Sequence, residues 1–237
     1  MLGVGLYGLT YLYPVYLAQI RGYDALMIGD TMFVSGLAMF ITAPVAGRLA
    51  TKADPRRLLA GGFLIFALGS WQMTYMTKDW DFWELFWPQI LRGVGMMLAI
   101  VPITEVALGT LPPDTVKNAS GLFNLMRNLG GAIGLAAINT VLNDQIDLHL
   151  ARLHEAVSGS RAPAVETLNN LAAGLSDFGS DANSMALKQL MLIVHRQAVV
   201  MAFADVFLIL SVLFVALAAV SIVMKRPATT PGSAAAH

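Results

Sequence analysis

Long apolar stretches separated by short polar ones run through almost the whole chain. Six are long enough to cross about 30 Å of hydrocarbon, which takes about 20 helical residues rising about 1.5 Å each. They fall at approximately Leu2–Ile20, Met27–Gly47, Leu58–Met76, Phe86–Leu108, Gly121–Leu142 and Ala198–Met224. The connections among the first five are short and carry turn or charge signals: Arg21-Gly22-Tyr23-Asp24, Arg48 to Arg57, Lys78-Asp79-Trp80-Asp81 and Leu111-Pro112-Pro113-Asp114. Short links of this kind predict that consecutive helices are antiparallel neighbours. Trp80, Trp83 and Trp87 cluster where the fourth helix would meet the interface, as in an aromatic belt.

The segment Asn143–Arg196 departs from this rhythm. Ile146, Leu150, Leu153 and Val157 keep helical spacing beyond the fifth span, so that helix is expected to run on out of the membrane. A Gly/Ser/Pro break follows at Ser158–Pro163. Leu168, Leu171 and Leu175 then start a second apolar pattern before Met185–Val194. The segment reads either as a solvated hairpin with one greasy face or as a docking surface for a partner. The last residues, 227–237, are rich in Ala, Thr, Gly and Ser and are expected to form a disordered cytoplasmic tail.

Composition agrees with a membrane solvent: 57% hydrophobic and 13% charged residues, with a mean hydropathy of +0.65. Net charge is zero, so no global field points to nucleic acid. Position matters more than the total. With the N-terminus in the cytoplasm, Arg48, Lys52, Arg56, Arg57, Lys117, Lys225 and Arg226 all lie inside, against Arg21 and Lys78 in the short outer loops. This is the orientation that the positive-inside rule favours, and it makes Asn143–Arg196 external and both termini cytoplasmic. No cysteine occurs, which excludes a disulfide scaffold and thiolate chemistry. His149, His154, His195 and His237 are isolated in sequence, without a metal-ligand spacing, so neither a metal nor a cofactor is expected. Met1 leads straight into a span, with no sign of a cleavable signal peptide.

Inside a bilayer the informative residues are ionisable ones, because each costs at least about 2.5 kcal/mol at a helix centre unless it is paired or wet. Asp205 lies about 10 Å into the last span, among Phe203, Val206 and Phe207. A desolvated carboxylate there is a candidate for proton exchange; the plainer account is a structural hydrogen bond between helices. Arg127 and Arg92 either snorkel to an interface or bind a carboxylate or a substrate anion. Asn124 shares the face of Arg127 at i−3. Glu105 follows Pro102 near the end of the fourth span, where a missing backbone hydrogen bond could open carbonyls to a cavity; a shallow, hydrated carboxylate explains it as well. Asp30 reads as a helix-start residue favoured by the dipole. Gly130 and Gly134, spaced Gly-x-x-x-Gly, argue for close helix packing, as do Gly93, Gly95 and the glycines of the first span. No hydrolase, nucleotide-binding or paired-carboxylate motif occupies a suitable loop, so nothing points to an enzyme.

Two stretches carry a resemblance. Gly47-Arg48 through Asp54 to Arg56-Arg57 resembles the cytoplasmic loop that major facilitator transporters place between the second and third helices of each half. The run Leu111-Pro112-Pro113-Asp114 through Asn124-Leu125-Met126-Arg127-Asn128 to Gly130-Gly131 and Gly134 resembles the penultimate inner loop and helix of the EmrB/QacA-type drug:proton antiporters, a fourteen-span family. The resemblance covers the chain up to its tail. It implies an all-α integral membrane fold, six transmembrane helices forming the C-terminal half of a major facilitator fold, itself a 3+3 inverted repeat. By the same token an N-terminal helix bundle is expected to be missing, and the substrate cavity would lie between the two halves. The implied activity is proton-coupled efflux of small lipophilic or amphipathic molecules across the bacterial inner membrane. Asp205 would be the coupling carboxylate, and Arg127, Arg92 and Asn124 polar gate or cavity residues. The implied partners are the lipid bilayer, protons, the small-molecule substrate and a periplasmic membrane-fusion adaptor at the external loop. A non-transporting membrane subunit or truncated half protein, and a facilitator-type importer, remain as alternatives.

Overall fold

In a computed structural model of the chain, residues 2–109, 111–157, 162–175 and 181–223 are described. Among them there is helix and no strand. The 227–237 tail and the positions of Lys225 and Arg226 lie outside the described residues. We number the helices α1 (Leu2–Tyr16), α2 (Ala25–Lys52), α3 (Pro55–Gln72), α4 (Phe82–Leu108), α5 (Pro113–Ala156), α6 (Ala162–Gly174) and α7 (Ala182–Val223). Five of them, α2 to α5 and α7, are long and apolar enough to cross a membrane. The remaining predicted span is built in two pieces: the 15 residues of α1 continue into a five-residue π-helical turn, Leu17–Arg21. Gly22 closes that turn at φ 69°, a left-handed conformation that glycine adopts without a Cβ penalty.

Helix boundaries follow local chemistry. Asp24 caps α2 by accepting the Met27 N–H at 2.9 Å. Asp81 caps α4 in a capping box with Glu84, whose side chain takes the Asp81 N–H at 3.0 Å. Asp54 caps α3 from the position before Pro55, which suits the first turn. The motif around Gly47 and Arg48 is therefore only partly loop: α2 continues to Lys52, and the bend itself is Ala53–Asp54.

Consecutive helices are not all neighbours, contrary to the sequence expectation. Although two residues join them, α2 and α3 barely touch, because α4 inserts between them and packs on both. Small residues allow this. A Cβ on Gly93 of α4 would strike the Ser35 carbonyl oxygen of α2 at 2.6 Å, and one on Gly95 would meet the Phe66 amide nitrogen of α3 at 2.5 Å. On the other side α5 packs on α1 and α7. The pairing of α2 with α4 and of α5 with α1 joins the second span of each three-span set to the first span of the other, the exchange expected of a repeat.

The core is the seam of α7 against α1 and α3. Phe203, Val206, Phe207, Leu210 and Phe214 line one face of α7 and are buried. Tyr16 and Tyr13 meet Phe203 and Phe207 edge-on at 5.8 and 5.9 Å, within the spacing at which aromatic pairs attract, and Phe66 lies closer still to Phe214, at 4.3 Å. Ser211 donates to the Ala67 carbonyl at 3.0 Å, tying α7 to α3.

Most of Asn143–Arg196 is helical. Its first part is the end of α5, its last part is the start of α7, and α6 packs on α7. The 44 residues of α5 and 42 of α7 would extend about 66 and 63 Å at the α-helical rise, twice the hydrocarbon thickness.

Candidate functional site

Asp205 of α7 and His149 of α5 meet side chain to side chain across the α5–α7 seam. His149 Nε2 lies 2.7 Å from Asp205 Oδ2. The His149 side chain is 12% exposed and that of Asp205 is 41% exposed. Helix direction makes the contact possible: side chains tilt toward the N-terminus of their own helix, so in two antiparallel helices these two lean toward each other. His149 thus belongs with a residue of the last span, although it falls in the segment read from sequence as external. Its role was hidden by the 56 positions that separate the partners. The one available signal was the helical spacing of Ile146, Leu150 and Leu153, which carries α5 past His149.

Chemically, the pair can share protons in three ways. A neutral imidazole donates its Nε2–H to the carboxylate; an imidazolium forms an ion pair with it; a protonated Asp205 donates to a neutral Nε2. The first state has one proton fewer than the other two, which differ only in which partner holds the proton, and each leaves the two helices with a different attraction.

Arg92 makes the second polar feature. It is buried, 7% exposed, rather than snorkelling to an interface. Its guanidinium carbon sits 4.1 Å above the centre of the Tyr13 ring, close enough for a cation–π contact. The Tyr13 hydroxyl donates to Met73 Sδ at 3.0 Å. One turn before Arg92, the fully buried Gln89 donates to the Thr31 carbonyl at 3.2 Å and fixes α4 against α2. Neither Tyr13 nor Gln89 stands out in sequence, since both lie in apolar runs without a motif. Because Tyr13 also contacts Phe207, two residues from Asp205, Arg92 and the Asp205 turn of α7 share one level of the bundle.

The other candidates are elsewhere. Arg127 is half-buried, with Nε enclosed and without a partner, and its carbonyl oxygen lies against Gly3 of α1. Asn124 is exposed one turn before it. Glu105 is exposed next to the end of α4, where its carbonyl accepts the Gly109 N–H at 2.8 Å. Among the described residues no hydrogen bond or ion pair joins Arg127, Asn124 or Glu105 to Asp205 or Arg92. Asp30 is exposed on α2. A Cβ on Gly130 would meet nothing within 4 Å, although the Gly130 backbone is part of the surface that Gly3 touches. Gly134 is buried and lines an apolar cavity of about 290 Å³ between α5 and α7. Arg48, Arg56 and Arg57 surround the short α2–α3 bend, with the Asp54 carboxylate engaged on the Arg56 N–H at 3.2 Å. No group of three or more metal-ligating side chains gathers among the described residues.

The end of the bundle that carries Gly22 is latched by polar contacts. Tyr16 donates to the Thr77 carbonyl at 2.7 Å, Arg21 donates to that of Lys78 at 3.2 Å, and the Arg21 guanidinium lies 3.4 Å from the Asp81 carboxylate. Tyr23 donates to Asp81 as well, and Arg196 of α7 donates to the Ile20 carbonyl at the end of the π turn. The Tyr23 hydroxyl, with the Phe82 N–H and Arg21, holds the Asp81 carboxyl below its usual range. Burial and the Asp81 carboxylate push the Tyr23 hydroxyl up.

Comparison with known proteins adds the family. The profile of the Major Facilitator Superfamily matches residues 1–135. The chain is 34% identical over 226 residues to the Colistin resistance protein EmrB of Acinetobacter baumannii, covering 95% of this chain and 44% of that protein. It is 29% identical over 208 residues to the Multidrug export protein EmrB of Escherichia coli, covering 86% and 40%. The Fatty acid resistance protein FarB of Neisseria gonorrhoeae is 28% identical over 221 residues, covering 93% and 42%. The chain therefore spans less than half the length of these relatives.

Proposed function

Because this chain belongs to the Major Facilitator Superfamily and is a multi-pass membrane protein, we propose that it supplies the C-terminal half of a proton-coupled exporter of small lipophilic or amphipathic molecules. The single observation that carries the coupling is the His149–Asp205 pair. The pair joins two long helices across their seam, and in this reading gain or loss of a proton there changes how strongly they hold together. An alternating-access carrier needs such a link between protonation and helix packing. The names of the relatives, for resistance and multidrug export, support export over import. In this reading the chain works in the bacterial inner membrane with both termini cytoplasmic, against an N-terminal bundle that completes the cavity. The α5–α6–α7 extension then faces the periplasm, where a membrane-fusion adaptor would meet it.

The test is proton-driven efflux in proteoliposomes of the complete transporter that contains this half, using cationic, neutral and anionic fluorescent amphiphiles. Asp205→Asn is expected to abolish coupled efflux with the protein still folded. His149→Gln keeps a hydrogen-bonding group but no titration, and is expected to shift the pH dependence of efflux. Wild-type rates and pH profile in both variants would sink the assignment.

A further inference from the structure

A cavity of about 630 Å³ opens at the Gly22 end of the bundle, between the π turn after α1 and the helices α5 and α7. It gathers cations: Arg21, His195 and Arg196 line it together with Gln19, and no carboxylate is among the lining residues. Arg21 is already matched, because it donates to the Lys78 carbonyl and lies against the Asp81 carboxylate. Arg196 has no such match. Its Nη2 donates to the Ile20 carbonyl, a neutral acceptor that holds the guanidinium at the cavity wall, and no carboxylate pairs with it among the described residues. Gln19, His195 and Arg196 are exposed residues, so an amide, an imidazole and a guanidinium, all N–H donors, are open to whatever enters.

Depth identifies the medium around this cavity. Arg21 ties its wall to the turn that leads into Trp83 and Trp87, both exposed on α4, and exposed tryptophans at a span's end mark the headgroup level of a bilayer. The apolar cavity of about 290 Å³ between α5 and α7 continues the same surface inward. Leu192 and Val199 line the upper cavity, Val206 and Leu213 the lower one; recurring every seven residues, close to two helical turns, the four form one stripe along α7. Ile209 and Leu213 of the lower cavity come 13 and 17 residues after Arg196, about 20 and 26 Å at the helical rise. One leaflet with its headgroups is about 20–22 Å thick, half of a 40–45 Å bilayer. Cationic donors and an apolar slot are thus one lipid length apart on one helix.

We propose that the two cavities together form a site for one anionic phospholipid of the leaflet at the Gly22 end, with its phosphodiester held by Arg196, His195 and Gln19 and an acyl chain lying along the α7 stripe into the lower cavity. The absence of a carboxylate from the lining selects against a headgroup that carries an ammonium, since nothing there would answer its charge. Free inorganic phosphate shares the head chemistry but has nothing to place in the apolar slot. The lipid is a bound component and not cargo, so the proposal stands apart from the export reading. The stretch of α7 between the cavities includes Asp205, and the lipid would brace the helix that makes the His149 contact.

Lipid binding is measured by native mass spectrometry on the complete transporter, purified in a non-ionic detergent and titrated with phosphatidylglycerol or phosphatidylcholine of the same acyl chains. The wild type should take up one phosphatidylglycerol more tightly than any phosphatidylcholine. Arg196→Gln should weaken that step by roughly ten- to a hundredfold, the scale of losing a hydrogen bond to a charged group, and leave phosphatidylcholine unchanged. Arg196→Lys keeps the charge without the fork and should recover part of the loss. Arg152→Gln removes one charge from the same extension at a residue that does not line the cavity and should keep the tight step; equal loss from Arg152→Gln and Arg196→Gln would mean a diffuse field and overturn the site. Ile209→Trp fills the lower cavity from a half-exposed position and should weaken the same phosphatidylglycerol step. If Ile209→Trp leaves it intact while excess inorganic phosphate abolishes it, the cavity holds a free anion and the lipid assignment fails. A wild type without preference for phosphatidylglycerol overturns the proposal outright, as does a folded Arg196→Gln that keeps it. If Arg196→Gln does not fold, His195→Ala and Ile209→Trp decide, and an unaltered tight step in both overturns the proposal.

Discussion

Replacing Gly95 by alanine tests whether the α3–α4 approach is as close as the structure has it. The new methyl would lie 2.5 Å from the Phe66 amide nitrogen, 2.7 Å from the Gly62 carbonyl oxygen and 2.9 Å from the Phe66 Cα. All three are backbone atoms, so no side chain can rotate away. Ordinary contact needs about 3.5 Å or more, and the helices would have to part by up to roughly 1 Å along a shared surface. Overpacking of this kind costs about 1–3 kcal/mol, while alanine returns up to about 1 kcal/mol of helix propensity. The net loss should be about 1–2 kcal/mol. For a chain of this length 1 kcal/mol moves Tm by about 2–4 °C, so Gly95→Ala should melt roughly 2–8 °C earlier. Gly130→Ala is the internal control. Its Cβ meets nothing within 4 Å, only the propensity remains, and Tm should rise by roughly 2–4 °C. Thermal unfolding of the detergent-solubilised protein, followed by circular dichroism at 222 nm (~222 nm suffices to see helix loss), reads both. A Gly95→Ala protein that melts with or above the wild type would refute the packing argument.

Two smaller tests follow from the polar contacts. Tyr13→Phe keeps the ring beneath Arg92 and against Phe207 and loses the hydroxyl that meets Met73 Sδ and the Arg92 guanidinium, so it should melt roughly 2–4 °C earlier than the wild type, the scale of one hydrogen bond. Tyr13→Leu also loses the cation–π contact, worth about 2 kcal/mol when desolvated, and should melt clearly earlier; equal melting of the two variants would show that the ring does not carry the guanidinium. Asp81 is held below its ordinary value of 3.8 by the Tyr23 hydroxyl first and the Phe82 N–H second. A carboxylate with a lowered folded value adds stability that is complete above the unfolded value and is lost as pH falls through the folded one. Asp81→Asn should therefore melt earlier than the wild type by a constant amount between about pH 5 and 8, with the gap closing only below about pH 4; a gap that changes between pH 5 and 8 would contradict this.

What could be read from the sequence divides by range. Spans are local, because twenty apolar residues in a row leave few alternatives to a membrane helix, and α2, α3, α4 and parts of α5 and α7 are built on such runs. Caps at Asp24, Asp54 and Asp81 are equally local. Which helices touch is not. The insertion of α4 between α2 and α3 depends on Gly93 and Gly95 meeting particular backbone atoms more than fifty and about thirty residues away, and a glycine in a span looks the same whether it is in contact or open, as Gly130 is. The same limit hid the site. Asp205 and Arg92 are conspicuous because charge is rare in an apolar run, but their partners are not: His149 lay in a segment read as external, and Tyr13 is one aromatic among many.

The lengths of α5 and α7 carry a mechanical consequence. Each is a single unbroken helix, about 66 and 63 Å long at the α-helical rise, and only about 30 Å of either can be immersed in hydrocarbon. A stiff rod held over half its length turns rotation into travel: a lean of about 10° in the immersed half sweeps the free end sideways by roughly 5–6 Å, given the roughly 30 Å that remain. Small rearrangements around His149 and Asp205 would thus be displayed, magnified, at the far tip of the molecule.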